Sequence, residues 1–149
     1  MKRIFIENID DYITIDDQDF EKVSQLKWHI VYTNHVLSCR AFKDGKRLFL
    51  PSFITGKINA YQKIKGLNFT RNNIGIDEYK YRYRKPQRNS SSIYKGVSLG
   101  KDGRYKASIY SDGRHIFLGR YKSEVEAGKA YNKAVVKYWG GNGYLNEIP

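Results

Sequence analysis

Basic, aromatic and hydroxyl side chains alternate with apolar ones along three short segments in the second half of the chain. Lysine and arginine can donate to phosphate oxygens, whereas hydroxyl and aromatic groups can contact base edges and thymine methyl groups. On one side of a sheet, this combination predicts a surface for the major groove of double-stranded nucleic acid. A solvated sheet face also carries lysine and arginine, so this simpler interpretation stays open. The residues of the predicted surface are Ser98, Arg104, Lys106, Ser108, Tyr110, His115 and Phe117, with Lys95 near the start of the first segment.

The turns around these segments predict the elements that position that surface. Asp-Gly pairs at positions 102–103 and 112–113 each separate two alternating runs, which indicates β-hairpins. A helix is predicted next, because Ser123 is a favourable N-cap and Glu126 completes a capping box. The glycine pair at 140–141 is expected to end the helix.

The apolar positions predict which side of the sheet the helix covers. These positions alternate with the surface residues, so their side chains should point to the other side of the sheet. There they should meet a helix stripe rich in alanine. We therefore predict a three-stranded antiparallel sheet packed on one helix. The apolar sheet positions are Val97, Tyr105, Ala107, Ile109, Ile116 and Leu118, and the helix stripe is Ala127, Ala130, Tyr131, Ala134 and Tyr138.

Four motifs occur in a fixed order along these elements. They are residues 94–97 (Tyr-Lys-Gly-Val), 103–109 (Gly-Arg-Tyr-Lys-Ala-Ser-Ile), 116–119 (Ile-Phe-Leu-Gly) and a Glu-Ala-Ala-Tyr spacing at positions 126, 127, 130 and 131. Together they resemble the APETALA2/ethylene-response-factor (AP2/ERF) DNA-binding domain. The resemblance implies a sheet that enters the major groove and contacts DNA through the surface residues above. Arg, Glu and Trp dominate that face in the plant proteins, and several residues of this surface differ from them. The resemblance therefore does not imply that this chain binds the plant target sequence.

Charge and composition favour an anionic partner. The 149 residues carry a formal charge of +12, and twelve lysines or arginines against two aspartates lie between positions 79 and 122. The first thirty residues instead hold seven acids, so the two halves are expected to have different roles. No continuous apolar span or basic amphipathic helix is present, and membrane binding is not expected.

The cysteine and histidine content argues against a disulfide-stabilised protein and against a zinc finger. The lone Cys39 cannot form an internal disulfide, which fits a reducing cytoplasm. One cysteine and three scattered histidines give no zinc-ligand spacing. The start of the chain has too short an apolar run for a signal peptide. We therefore expect a cytoplasmic protein without a cofactor or metal.

The first half of the chain predicts a second small domain. Strands are predicted over residues 12–15, 27–32, 36–42 and 47–50, with a helix from residue 16 or 17 and a further helix over 68–74. Trp28 is expected to anchor the core. His29 and His35 have no carboxylate or cysteine spaced to form a catalytic pair with them, so we expect them to be structural or exposed.

Residues 15–20, 26–28, 48–50 and 67–74 of this half resemble phage-type HNH homing endonucleases, which often end in an AP2-type domain. An HNH site needs a general-base histidine and an Asp-His pair that holds a divalent metal. An ungapped alignment puts these positions at Pro51, Ala60 and Tyr61, and only Asn73 matches the motif. Proline cannot accept a proton and alanine cannot bind a metal, so we predict that the chain is not an enzyme.

Residues 79–92 predict a basic Tyr/Arg and Ser linker between the two halves. Its alternating tyrosines and cations are typical of a strand or of an extended arm that lies along DNA phosphates. Arg82, Arg84 and Lys85 are its candidate phosphate contacts.

The sequence as a whole predicts an α+β protein: a degenerate ββα, HNH-like module with a small antiparallel sheet over residues 1–78, the linker, and an AP2/ERF-like domain over 93–149. We hypothesise a non-cleaving binder of double-stranded DNA in which Lys95, Arg104, Lys106, Arg114 and the linker cations hold the backbone. Ser108, Tyr110, His115 and Phe117 would give the sequence preference. Two alternatives stay open, a phage or mobile-element inhibitor that binds a host protein or ribonucleoprotein, and an active HNH nuclease.

Overall fold

Separate hydrophobic clusters form on either side of residue 80. The computed structural model describes all residues from 1 to 149 and divides into Met1–Lys80, here the N-terminal unit, and Tyr81–Pro149, here the C-terminal unit. Each unit combines antiparallel strands with helices, which confirms the α+β prediction. None of the helices combines the length and hydropathy that crossing a bilayer requires.

Three antiparallel strands form the sheet of the C-terminal unit, namely β8 (Val97–Leu99), β9 (Tyr105–Ser111) and β10 (Arg114–Tyr121). Their order in the sheet is β10-β9-β8. Asp112 and Gly113 both adopt left-handed conformations between β9 and β10, with φ of 52° and 77°. This is the turn that an Asp-Gly pair favours.

Helix α3 (Glu124–Trp139) packs across one face of this sheet. The Ser123 side chain accepts a hydrogen bond from the Glu126 amide at 3.4 Å, and Gly140 ends the helix with φ of 62°. The predicted three-stranded sheet on one helix is therefore confirmed. The buried residues of the helix are Ala127, Gly128, Tyr131, Ala134, Val135 and Trp139, and those of the sheet include Val97, Ala107 and Ile109.

A β-bulge interrupts the alternation of β10. Phe117 pairs with Ser108, but the next pair along the ladder joins Gly119 to Ala107, so Leu118 is an extra residue. Gly119 has φ of 137°, a conformation that glycine adopts without steric penalty. Beyond the bulge, residues face the side opposite to the one that strict alternation predicts.

The N-terminal unit contains a hairpin, a three-stranded sheet, two helices and a pair of two-residue strands. In chain order the elements are β1 (Lys2–Ile6), β2 (Asp11–Ile15), α1 (Asp17–Ser24), β3 (His29–Thr33), β4 (Val36–Lys43), β5 (Lys46–Phe49), α2 (Leu50–Thr55), β6 (Tyr61–Gln62) and β7 (Ile74–Gly75). The sheet order is β3-β4-β5, and every named strand pair is antiparallel. Trp28 is 3% exposed and its indole donates to the Val23 carbonyl at 2.8 Å, so it anchors this core as predicted.

The predicted helix over residues 68–74 is wrong. Only Arg71–Asn73 form a 3-10 turn, and the chain then extends into β7. The Asn68 carboxamide oxygen accepts from the Thr70 amide at 3.0 Å. Such local bonds from polar side chains to the backbone compete with helix formation. The helix that begins at Asp17 and the strands β2, β3, β4 and β5 match their predictions, whereas β1, α2, β6 and β7 were not predicted.

Candidate nucleic-acid interface

The sheet face of the C-terminal unit that lies opposite α3 is called here the outer face. Its first cross-strand row joins Ser98, Lys106 and Arg120, because Lys106 pairs with each of the other two. All three side chains are exposed. A cation pair with a neighbouring hydroxyl can donate hydrogen bonds to phosphate oxygens along one DNA strand.

The second part of the outer face is aromatic. Phe117 pairs with Ser108, and the Lys106 ammonium lies 5.7 Å from the Phe117 ring centroid. Tyr110 pairs with His115, with ring centroids 5.1 Å apart at an angle of 60°. Tyr110 is 40% exposed and Phe117 is 57% exposed, so both rings are available for contact with base edges or methyl groups.

The two remaining arginines predicted near this surface lie at strand ends. Arg104 is exposed immediately before β9 and shares the alternation of Lys106. Arg114 is exposed at the start of β10, but it shares the alternation of Ile116, which packs toward the helix. Arg104 therefore borders the outer face, whereas Arg114 extends from the hairpin end beside it.

Arg120 is a cation of the outer face that was not predicted from the sequence. The bulge at Leu118 turns it to the same side as Lys106. A glycine inside a strand, here Gly119, often marks such a bulge and was the available signal. The Arg120 guanidinium lies 3.5 Å from the Asp102 carboxylate, and both side chains are exposed. An exposed ion pair of this kind contributes little to stability, so Arg120 can leave Asp102 and bind a phosphate.

Lys95 is directed into the C-terminal unit. Its ammonium donates to the carbonyl oxygens of Tyr81 at 2.8 Å and Arg82 at 3.0 Å. Burial, together with the nearby charge of Arg84, lowers the pKa of Lys95 to about 8. Lys95 thus holds the 3-10 turn Lys80–Tyr83, and it is not among the phosphate contacts proposed below.

The predicted linker begins as this turn and not as a strand or an extended arm. The Arg82 guanidinium lies 5.1 Å from the Trp139 ring, and the Arg82 carbonyl accepts from the Tyr144 amide at 2.7 Å. Arg84 and Lys85 are exposed. Both line a cleft of about 390 Å³ that also includes Ser98 and Ser108 of the sheet. Of the linker cations, these two are therefore placed beside the outer face.

Tyr81 extends the aromatic part of the outer face toward the helix core. Its ring lies 5.7 Å from Tyr110 and 5.9 Å from Trp139, edge to face in both cases. Tyr131 belongs to the same core, and burial, followed by the influence of Tyr81, raises its pKa above the ordinary range. These contacts tie the orientation of Tyr110 to the packing beneath the sheet.

The three positions that an HNH site would use lie in the N-terminal unit. Pro51, Ala60 and Tyr61 line one cleft of about 330 Å³. The Tyr61 hydroxyl donates to the Asp77 carboxylate at 2.6 Å. No group of three or more His, Cys, Asp or Glu side chains is arranged to hold a metal ion. The Asn73 amide donates to the backbone of the preceding loop, so its contacts are structural.

Comparison with known proteins gives partial matches to plant transcription factors, while no family model matches the chain. An AP2-like ethylene-responsive transcription factor of Arabidopsis thaliana is 38% identical over 72 residues, covering 41% of this chain and 20% of that protein. A second one is 35% identical over 82 residues, covering 45% and 27%. An AP2/ERF and B3 domain-containing transcription factor of the same plant is 42% identical over 53 residues, covering 36% and 15%.

The chain therefore spans about a quarter or less of the length of these three relatives. The similar region amounts to less than half of the chain itself. Within that region, this chain is similar to AP2/ERF transcription factors.

Proposed function

We propose that this protein binds double-stranded DNA with a sequence preference and without cleaving it, and that the outer face of its C-terminal sheet enters the major groove. The observation that carries the proposal is the exposed row of Lys106 and Arg120 beside Tyr110, His115 and Phe117 on one face. The similarity to AP2/ERF transcription factors supports the same function.

The cations and the rings have different roles in this proposal. Lys106, Arg120, Arg104, Arg84 and Lys85 neutralise phosphates and set the register of the protein on the duplex. Arg114 adds a backbone contact from the hairpin end. Ser108, Tyr110, His115 and Phe117 contact base edges and thymine methyl groups, which gives the preference for sequence.

We propose further that the N-terminal unit descends from an HNH nuclease and has lost its chemistry. The convergence of Pro51, Ala60 and Tyr61 on one cleft supports this descent. Proline and alanine have no group that accepts a proton or binds a metal, and the Tyr61 hydroxyl is hydrogen-bonded to Asp77. No histidine or aspartate lines this cleft in their place.

A salt series with a random duplex pool and Mg²⁺ tests the proposed function. If about six phosphates are neutralised, log affinity should fall against log salt with a slope near −5. One sequence should be enriched and the recovered DNA should be intact. Cut DNA would contradict the absence of catalysis. No binding at moderate salt would contradict DNA binding and would point to a host protein or ribonucleoprotein as the partner.

Two substitutions separate backbone contacts from base contacts. Lys106→Ala should weaken binding to all duplexes similarly and reduce the salt slope by about one unit. Tyr110→Ala should instead lower the preference for the selected sequence over random duplex, because it removes a base contact. Affinities for both duplexes, measured by fluorescence anisotropy across the salt series, give both quantities. Identical effects of the two substitutions would contradict the assigned roles.

A further inference from the structure

The three-stranded sheet of the N-terminal unit has an outward face with aromatic and cationic side chains. Cys39 and Ala41 of β4 are buried, so Arg40 and Phe42 face the opposite side. Arg40 pairs with His29 on β3 and with Phe49 on β5. These residues form what we call the N-terminal sheet face.

The flat side chains on this face are arranged as stacking surfaces. The rings of His29 and Phe42 are parallel to within 8°, with centroids 5.8 Å apart. The guanidinium carbon of Arg40 lies 5.3 Å from the Phe49 ring, and Arg40 Nε donates to the Ser38 hydroxyl at 3.1 Å. Phe42 is 60% exposed and Phe49 is 43% exposed, which leaves area on each ring for a planar ligand.

A cleft that Phe49 lines collects positive charge. Arg40 and Phe49 line the cleft of about 330 Å³ described above, as do Lys65 and Lys80. No aspartate or glutamate is among its lining residues. Burial and the nearby charge of Lys80 lower the pKa of Lys65, as expected where cations lie close together. The volume of the cleft lies at the lower end of the range found for small-molecule sites, and its positive charge suits a phosphate group.

We propose that the N-terminal sheet face binds single-stranded nucleic acid. Bases stack on Phe49 and Phe42, while Arg40, Lys65 and Lys80 hold the backbone. Within a duplex, base faces are covered by their neighbours, whereas unpaired bases can stack on protein rings. This site goes beyond the proposed function, in which duplex DNA is bound by the C-terminal unit and the N-terminal unit has no binding role.

The experiment uses the full chain with Lys106→Gln and Arg120→Gln, so that the outer face competes less for the probe. Labelled oligo(dT) and oligo(U) of about twelve nucleotides are titrated separately by anisotropy. Phe49→Ala should weaken binding about tenfold. Arg40→Gln should reduce the salt slope by about 0.7. Tighter binding of one oligomer would assign the site to DNA or to RNA.

Tyr32→Ala is the matched control, because Tyr32 lies on the same sheet and is 65% exposed, but shares the alternation of buried Ile30. It should bind both oligomers like the parent. Phe49→Trp keeps a ring and should retain binding, with the fluorescence of the added indole quenched by stacked bases. Equal effects of Phe49→Ala and Tyr32→Ala, or no quenching of the added indole in Phe49→Trp, would overturn the proposal. Duplex binding by the wild-type chain is measured alongside. If duplex is bound but neither oligomer is, this inference is rejected and the proposed function stands.

Discussion

Gly96→Ala is expected to destabilise the C-terminal unit by about 3 to 4 kcal/mol. Gly96 has φ of 78°, and a Cβ at this position would overlap the ring of buried Tyr131 and lie 2.8 Å from the Ser108 carbonyl oxygen. The left-handed conformation accounts for about 1 to 2 kcal/mol of the effect, and overpacking adds the rest. Urea unfolding followed by hydrogen exchange of peptides from this unit would measure the loss.

Gly103→Ala separates the two causes. Gly103 has the same φ of 78° within the same unit, but a Cβ there would have no heavy atom within 4 Å. This substitution should therefore cost only the conformational term of about 1 to 2 kcal/mol. An equal loss of stability in both variants would show that close packing of Gly96 against Tyr131 does not add to the cost of Gly96→Ala.

Arg71→Met is expected to destabilise the N-terminal unit by about 3 kcal/mol. The Asp19 side chain is only 2% exposed, and Arg71 donates to both of its carboxylate oxygens, at 2.9 and 2.8 Å. The same guanidinium donates to the Ile54 carbonyl at 3.1 Å. Methionine would leave Asp19 buried with only Lys22, whose ammonium lies 3.6 Å away. Urea unfolding at neutral pH would measure the difference.

The same pair predicts how stability depends on pH. The hydrogen bonds from Arg71 are the main reason that the pKa of Asp19 lies below its ordinary range. A carboxyl with a lowered pKa in the folded state contributes stability above its unfolded pKa of about 4 and loses it as pH falls through the folded value. The free energy of unfolding of the wild type should therefore decline below about pH 4. This acid-side decline should be smaller in Arg71→Met.

Lys27→Met provides a matched control for the loss of an ion pair. Lys27 contacts Glu7 at 2.9 Å, but both side chains are more than 70% exposed. Removing this pair should leave the free energy of unfolding nearly unchanged, because solvent and salt screen exposed charges. A comparable loss in Lys27→Met and Arg71→Met would show that burial of Asp19 does not set the size of the effect.

The local pattern of the chain predicted the C-terminal unit well. The alternation of Lys106 and Ala107 assigned these residues to opposite faces, and the Asp-Gly pair at 112–113 predicted the hairpin between β9 and β10. Ser123 and Gly140 predicted the ends of α3. These signals succeed because turns, caps and the period of two depend on neighbouring residues, whose interactions are present in the sequence itself.

The positions that the proposed HNH descent assigns to catalysis show a limit of the same method. The residue types at Pro51, Ala60 and Tyr61 led to the prediction that the chain is not an enzyme. Their meeting in one cleft depends on how α2 and the segment that leads to β6 fold back together. Likewise, the pairing of His29, Arg40 and Phe49 into one row requires the register of three strands, which pattern alone did not predict.

The sequence by itself determined the positive charge of the chain and the alternation that separates the outer face from the core of the C-terminal unit. Only the tertiary structure decided the orientation of two cations. Arg120 joins Lys106 because a bulge shifts the register of β10, and Lys95 turns inward because the 3-10 turn brings two carbonyl oxygens to its ammonium. The physical reason is the same for both. In each case the direction of the side chain depends on pairing or hydrogen bonding with another segment of the chain, which local alternation does not specify.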